Sequence, residues 1–211
     1  MNLFSKENKI LLKELIKTDF KLRYQGSIIG HLWSILKPFM MFTIMYLVFV
    51  QFLKFDDGTP HYAVSLLLGM VTWNFFTEAT NMGMLSIAAR GDLLRKISFP
   101  KEIIVISSII GAAINYGINI AVVLLFAIIN GVQLDFGVLM LLPAFVELIT
   151  FATGLAFILS SFFVKYRDMG PIWELVLQAG MYSTPIIYSI TYIIQRGHTG
   201  VAKIMMMNPI A

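Results

Sequence analysis

The sequence predicts an all-α fold, a polytopic helix bundle set in a membrane, with five spans inside this chain. Three observations carry that prediction. Hydrophobic residues make up 58% of the 211 residues and charged residues only 13%, about half the charged share of a soluble domain. Apolar runs long enough to cross about 30 Å of hydrocarbon alternate with short polar links. Lysine and arginine gather in every second link, the pattern of cytoplasmic loops.

Composition also excludes several chemistries. There is no cysteine, so no disulfide, thiolate catalysis or zinc–thiolate site is available. His31, His61 and His198 lie on separate segments without a His-Glu-x-x-His spacing, so no metal site is expected. No Gly-x-x-x-x-Gly-Lys-[Ser/Thr] occurs to cradle ATP phosphates, and no catalytic or cofactor-binding residue stands out. Energy for any transport must come from a partner or an ion gradient. The net charge of +4 and pI of 9.3 arise from basic residues beside the spans, which fits the anionic cytoplasmic leaflet better than a nucleic acid.

In chain order, residues 1–23 form an interface helix. Leu11, Leu12, Leu15, Ile16 and Phe20 share one side, and Lys9, Lys13, Lys17 and Lys21 another, with Arg23 closing the segment. Such a helix lies at the membrane surface with its lysines toward phosphates, or packs on the protein's own cytosolic ends. Either places the N-terminus in the cytosol. Gly26 and Gly30 then allow close helix approach or, more simply, a turn into the membrane.

The first span covers 32–53, with Lys37 near enough to its start to snorkel to the headgroups. Phe39, Phe42, Tyr46 and Phe49, spaced 3, 4 and 3 apart, make an aromatic stripe on one face. Two readings fit the stripe: contact with lipid or a neighbouring helix, and the wall of a path for sugars. The second span, 62–89, carries Glu78, and the third, 103–129, carries Asn115 and Asn119 one turn apart. The fourth, 137–164, contains Glu147, read as a second buried acid. The fifth, 172–187, is broken by Pro185 and carries Gln178 and Tyr182 on one face. After it come two apolar runs within 186–208 that are too short to span and read as a re-entrant pair.

Between the second and third spans lies Arg90–Lys101, RGDLLRKISFPK, the densest charged interruption in the chain. Asp92 is placed to cap a short helix that Pro100 stops, and Leu93 and Leu94 would be exposed to the cytosol on it. The simplest reading is a tight polar connector. The other is a docking knob, with Leu93, Leu94 and Phe99 inserted in a partner and Arg95 and Lys96 at the rim.

The ordered set GSIIGHLWSILKP, GMVTWNFF, LLRKISFPKE, YRDMG, TPIIY and NPIA resembles the ABC-2-type permeases that export O-antigen, capsule and wall teichoic acid. The resemblance covers essentially the whole of 1–211 as one domain. It implies a homodimeric, multi-pass permease of the cytoplasmic (inner) membrane that moves a lipid-linked polysaccharide and is not itself an enzyme. It implies a separate ABC ATPase that holds ATP and Mg, and makes 90–101 the coupling helix in a groove of that subunit. The family continues past the NP motif into a sixth span where five are expected here, so either the last span lies outside the sequence shown or this is a shortened member. An ABC-2 drug or lipid exporter is the alternative function, and a membrane enzyme or proton-coupled carrier the third class.

Overall fold

The computed structural model describes residues 5–22, 26–52, 60–133, 135–195, 197, 200, 203 and 205. Among them no strand occurs, and the fold is all-α. The elements are α1 (Lys6–Leu22), α2 (Trp33–Tyr46), α3 (Tyr62–Ala89), α4 (Gly91–Lys96), α5 (Glu102–Ile129), α6 (Leu141–Lys165), α7 (Met169–Ser183) and α8 (Ile190–Gln195). A π-helical turn, Leu47–Phe52, prolongs α2, and a 3-10 turn, Phe136–Met140, leads into α6.

The bundle is built around α3, which packs chiefly against α5 and α6 and also touches α2 and α7. Its buried residues, from Leu66 and Leu67 through Val71, Phe75, Ala79 and Thr80 to Ser86, fall all around the helix, as expected of a central element. In lipid the hydrophobic effect does not pull helices together, so close packing must. Ala79 and Gly83 on α3, and Ala152 and Ala156 on α6, form two small-residue pairs four apart, and all four are buried. A Cβ added at Gly83 would lie 2.5 Å from that of Ala156, so the two backbones meet as closely as glycine permits. Large rings fill the space beyond that seam. Phe75, Tyr116 and Phe145 join α3, α5 and α6, with centroids 4.9–5.4 Å apart, each pair worth about 0.5–1.5 kcal/mol beyond its burial.

Gly26 and Gly30 do not serve helix contact. Both have positive φ, 82° and 58°, and nothing lies near their Cβ positions, so they turn the chain toward α2.

α5 and the segment Phe136–Lys165 are long and apolar enough to cross a membrane, with mean hydropathies of 2.2 and 2.0. Leu125 and Ile128 on α5, and Leu142, Val146, Ile158 and Phe162 on α6, are left exposed as a lipid-facing surface would be. Helix α3 has 28 residues, a reach of about 42 Å, but carries more polar groups than these two. The helix in place of the predicted fifth span, 172–187, starts and ends earlier, at Met169 and Ser183. α7 has 15 residues and reaches about 22 Å before Thr184 turns extended ahead of Pro185. The chain then folds back: Tyr188 Oη donates to the Tyr182 carbonyl at 2.7 Å, and Tyr62 Oη to that of Ile187 at 2.5 Å. Most of the second short segment, 201–207, and the NP motif lie outside the described residues.

Candidate functional site

Two polar places interrupt this apolar bundle. The first is at the charged end, where α1, α4 and the start of α5 meet. Leu11, Leu12 and Leu15 of α1 pack with Leu93 and Leu94 of α4 against Phe99, Ile103 and Ile104, with Phe99 buried. The leucine pair is therefore half-buried, which corrects the expectation of an exposed knob. Of the two settings expected for α1, its apolar face takes the protein's own end: Leu11, Leu12 and Leu15 cover the same Phe99, Ile103 and Ile104 cluster that Leu93 and Leu94 pack on. Asp92, Arg95, Lys96 and Ile97 are left outward, with Ile97 51% exposed. Asp92 does not cap α4 either: the N-cap is Arg90, and no side chain bonds the free amides there.

Arg90 instead turns inward. Its Nη2 pairs with Asp19 Oδ1 of α1, and its Nη1 donates to Ser107 Oγ at 3.0 Å and to the Ile104 carbonyl of α5 at 3.4 Å. Both charged side chains are only 17% exposed, and the second oxygen of Asp19 is buried without a hydrogen bond among the described residues. One guanidinium thus ties α1, the end of α3, the start of α4 and α5. The sequence held a signal for it that was missed. Asp19 sits at i+4 and i+8 from Leu15 and Leu11, a carboxylate on an otherwise apolar helix face. On the opposite face Lys9, Lys13, Lys17 and Lys21 are exposed, while Phe20 is half-buried; Arg23 lies outside the described residues.

The second place is a cavity of about 390 Å³ between α2, α3 and α5. Lys37, Asn74, Glu78, Asn81, Asn115 and Asn119 line it, with the rings of Trp33, Phe75 and Tyr116. Glu78 accepts from Asn115 Nδ2 at 2.9 Å, and Asn119 Nδ2 donates to the Asn115 carbonyl at 2.9 Å. These bonds relieve the cost of polar groups at membrane depth. Glu147 does not join them. It is exposed on the outer face of α6, beside Pro143 and Thr150, which corrects its reading as a buried acid.

The aromatic stripe turns toward the protein. Phe42 is buried, and Phe39 and Phe42 meet Phe126 of α5 with centroids 6.2 and 5.6 Å apart. Tyr46 and Phe49 are half-buried against the same core. Gln178 and Tyr182 are both exposed on α7, opposite Trp173, whose Nε1 donates to Thr80 Oγ1 at 3.1 Å. Among the described residues no cluster of potential metal ligands occurs.

A helical core organised on one central helix, flanked by strongly apolar spans with polar groups held at their depth, defines an integral membrane protein of the helix-bundle class. The profile of the ABC-2 type transporter family matches residues 10–211, and the chain belongs to that family. It is similar to O-antigen export system permease proteins RfbA. Two from Klebsiella pneumoniae are each 26% identical over 180 residues, 85% of this chain and 69% of the relative. One from Myxococcus xanthus is 26% identical over 183 residues, 87% of this chain and 70% of the relative.

Proposed function

We propose that the chain is the permease subunit of an ATP-driven exporter that carries a lipid-linked cell-surface polysaccharide out across the cytoplasmic membrane. The similarity to O-antigen export permeases over most of the chain is the observation that carries this reading. The geometry supports it at the charged end. Helix α4 is short, is anchored to α1 and α5 from behind, and offers Asp92, Arg95, Lys96 and Ile97 outward. That is the form of an element pushed upon by a partner: a rigid back and a polar, partly apolar front. In this reading the partner is a cytosolic ABC ATPase holding ATP and Mg, the permease is a homodimer, and its N-terminus is cytosolic. The spans are α2 with its π-helical extension, α3, α5, α6 and α7, with α8 and the segment after it as the short outer elements. The exposed Gln178–Tyr182 face of α7 belongs to the wall of the path.

Deletion of the gene tests the reading directly. Surface glycan should vanish while undecorated glycan accumulates inside the cell, and the intact gene should restore it. Unchanged surface glycan together with altered drug sensitivity or membrane-lipid content would instead favour a drug or lipid exporter of the same family.

A further inference from the structure

The cleft between α2, α3 and α5 has a composition that neither helix packing nor coupling calls for. It gathers one ammonium, Lys37, one carboxylate, Glu78, and four carboxamides, Asn74, Asn81, Asn115 and Asn119. Its place in the bundle is informative. Glu78 lies 12 residues before Arg90, about 18 Å along α3 from the coupling end, and Lys37 lies in the second turn of α2. The cleft therefore lies about the middle of the bundle, from Lys37 and Asn81 on the side of α1 and α4 to Asn74 and Asn119 just past the midpoints of α3 and α5.

Groups of this kind are costly at membrane depth and are kept where they face one another or a polar ligand. Each carboxamide offers two donors and a carbonyl acceptor. Asn115 spends one donor on Glu78, and Asn119 one on the Asn115 backbone. The remaining capacity of both amides borders a cavity of about 390 Å³, roomy enough for a sugar ring or two. One positive and one negative group nearly cancel, so the cleft does not select for an ion. Amides and a carboxylate give and accept hydrogen bonds as hydroxyls require. The exposed ring of Trp33 suits the C–H face of a sugar, while Phe75 and Tyr116 border the cleft and spend their faces on each other and on Phe145.

We infer that this cleft binds a neutral saccharide unit of the exported chain, held through Asn74, Asn81 and Glu78 near the middle of the membrane. The inference rests on the proposed function and specifies where in the protomer the cargo is first recognised. Trp33 provides a reporter. It lines the cleft, whereas Trp73 and Trp173 are buried in the helical core.

The test uses the purified permease–ATPase complex in detergent and follows tryptophan emission. The probes are neutral oligosaccharides of about four to eight sugars, a length chosen to exceed the cavity, released from the host's own surface glycan, with glycerol phosphate and inorganic phosphate alongside. A saturable change with the oligosaccharides is expected, and Trp33→Phe should abolish it. Asn74→Leu and Asn81→Leu, at the exposed and half-buried rim, should raise the half-saturation concentration at least about tenfold with thermal unfolding unchanged. A response to the phosphates with none to the oligosaccharides would make the cleft a lipid-headgroup site and overturn the inference. So would an oligosaccharide response that both rim variants leave intact. Glycan export is measured in cells that carry the same complexes. A wild-type complex that exports glycan yet shows no saccharide response sinks the cleft assignment alone; one that exports no glycan sinks the proposed function itself.

Discussion

The carboxylate of Asp19 on α1 pairs with the guanidinium of Arg90 at the junction of α3 and α4, and Arg90 also bonds Ser107 of α5. A single side chain therefore links α1, the central helix α3, the short helix α4 and α5. Buried charges are held only while they are paired, so the link is either made or broken. Any force applied to α4 is delivered to α1 and α5 together.

Breaking the pair should reveal that role. Asp19→Ala leaves the Arg90 charge without its ionic partner and should cost on the order of 3 kcal/mol, seen as a lower unfolding temperature in detergent. Export should fall while basal ATP hydrolysis by the complex persists. The exchange Asp19→Arg with Arg90→Asp should recover part of both losses. An Asp19→Ala protein that unfolds and exports like wild type would show that the pair carries neither stability nor coupling.

The seam between α3 and α6 allows a sharper test of packing. In Gly83→Ala the new methyl would lie 2.5 Å from the Ala156 Cβ, well inside contact distance, and the helices must part. Overpacking of this kind costs about 1–3 kcal/mol. Gly83→Ala should lower the unfolding temperature, and Ala156→Gly in the same protein should restore much of it. Equal damage from the double variant would mean that the strain is relieved elsewhere.

The front and back of α4 predict opposite phenotypes. Arg95→Glu, Lys96→Glu and Ile97→Asp alter side chains that face outward, so the permease should unfold normally yet lose capture of its ATPase. Leu93→Asp and Leu94→Asp place charges in the cluster with Leu11, Leu12, Leu15 and Phe99 and should cost about 2–4 kcal/mol of stability, seen as a lower unfolding temperature. If the outward variants still co-purify with the ATPase, the docking face lies elsewhere.

Much of this architecture was legible because lipid imposes long runs that a reader can count. The limits of α3 and α5 follow hydropathy and charge to within a residue, and α7 stops at Ser183 ahead of Pro185, whereas α4 ends at Lys96 with Ile97 extended, short of the stop expected at Pro100. What was not legible depends on which faces meet. Hydropathy cannot show that Leu93 and Leu94 fold back on Phe99, Ile103 and Ile104, because it does not say which way α4 turns. It misplaced Glu147 for the same reason: an acid within an apolar run looks buried, whereas α6 turns this one outward. The cleft was half legible. Glu78, Asn115 and Asn119 stood out as polar groups in spans, but the bond between Glu78 and Asn115 joins residues 37 apart.

The aromatic stripe of α2 offers the last discrimination, between packing and a path. Phe39 and Phe42 meet Phe126 edge to face, and Phe42 is buried at 5% exposure, so within one chain these rings secure α2 to α5. Gln178 and Tyr182 differ, since both stand exposed on the same side of α7. A sliding polymer needs many weak contacts, and a polar tip beside a ring supplies them without holding fast. The chain has no cysteine of its own, so single cysteines report each site cleanly. Gln178→Cys and Tyr182→Cys should react with small water-soluble thiol reagents in the ATPase complex, fastest during ATP turnover. Phe42→Cys should stay protected in every state and, with a large ring removed from the core, should cost about 3–5 kcal/mol at most. Rapid labelling at Phe42→Cys with protection at Gln178→Cys would move the path from α7 to the stripe.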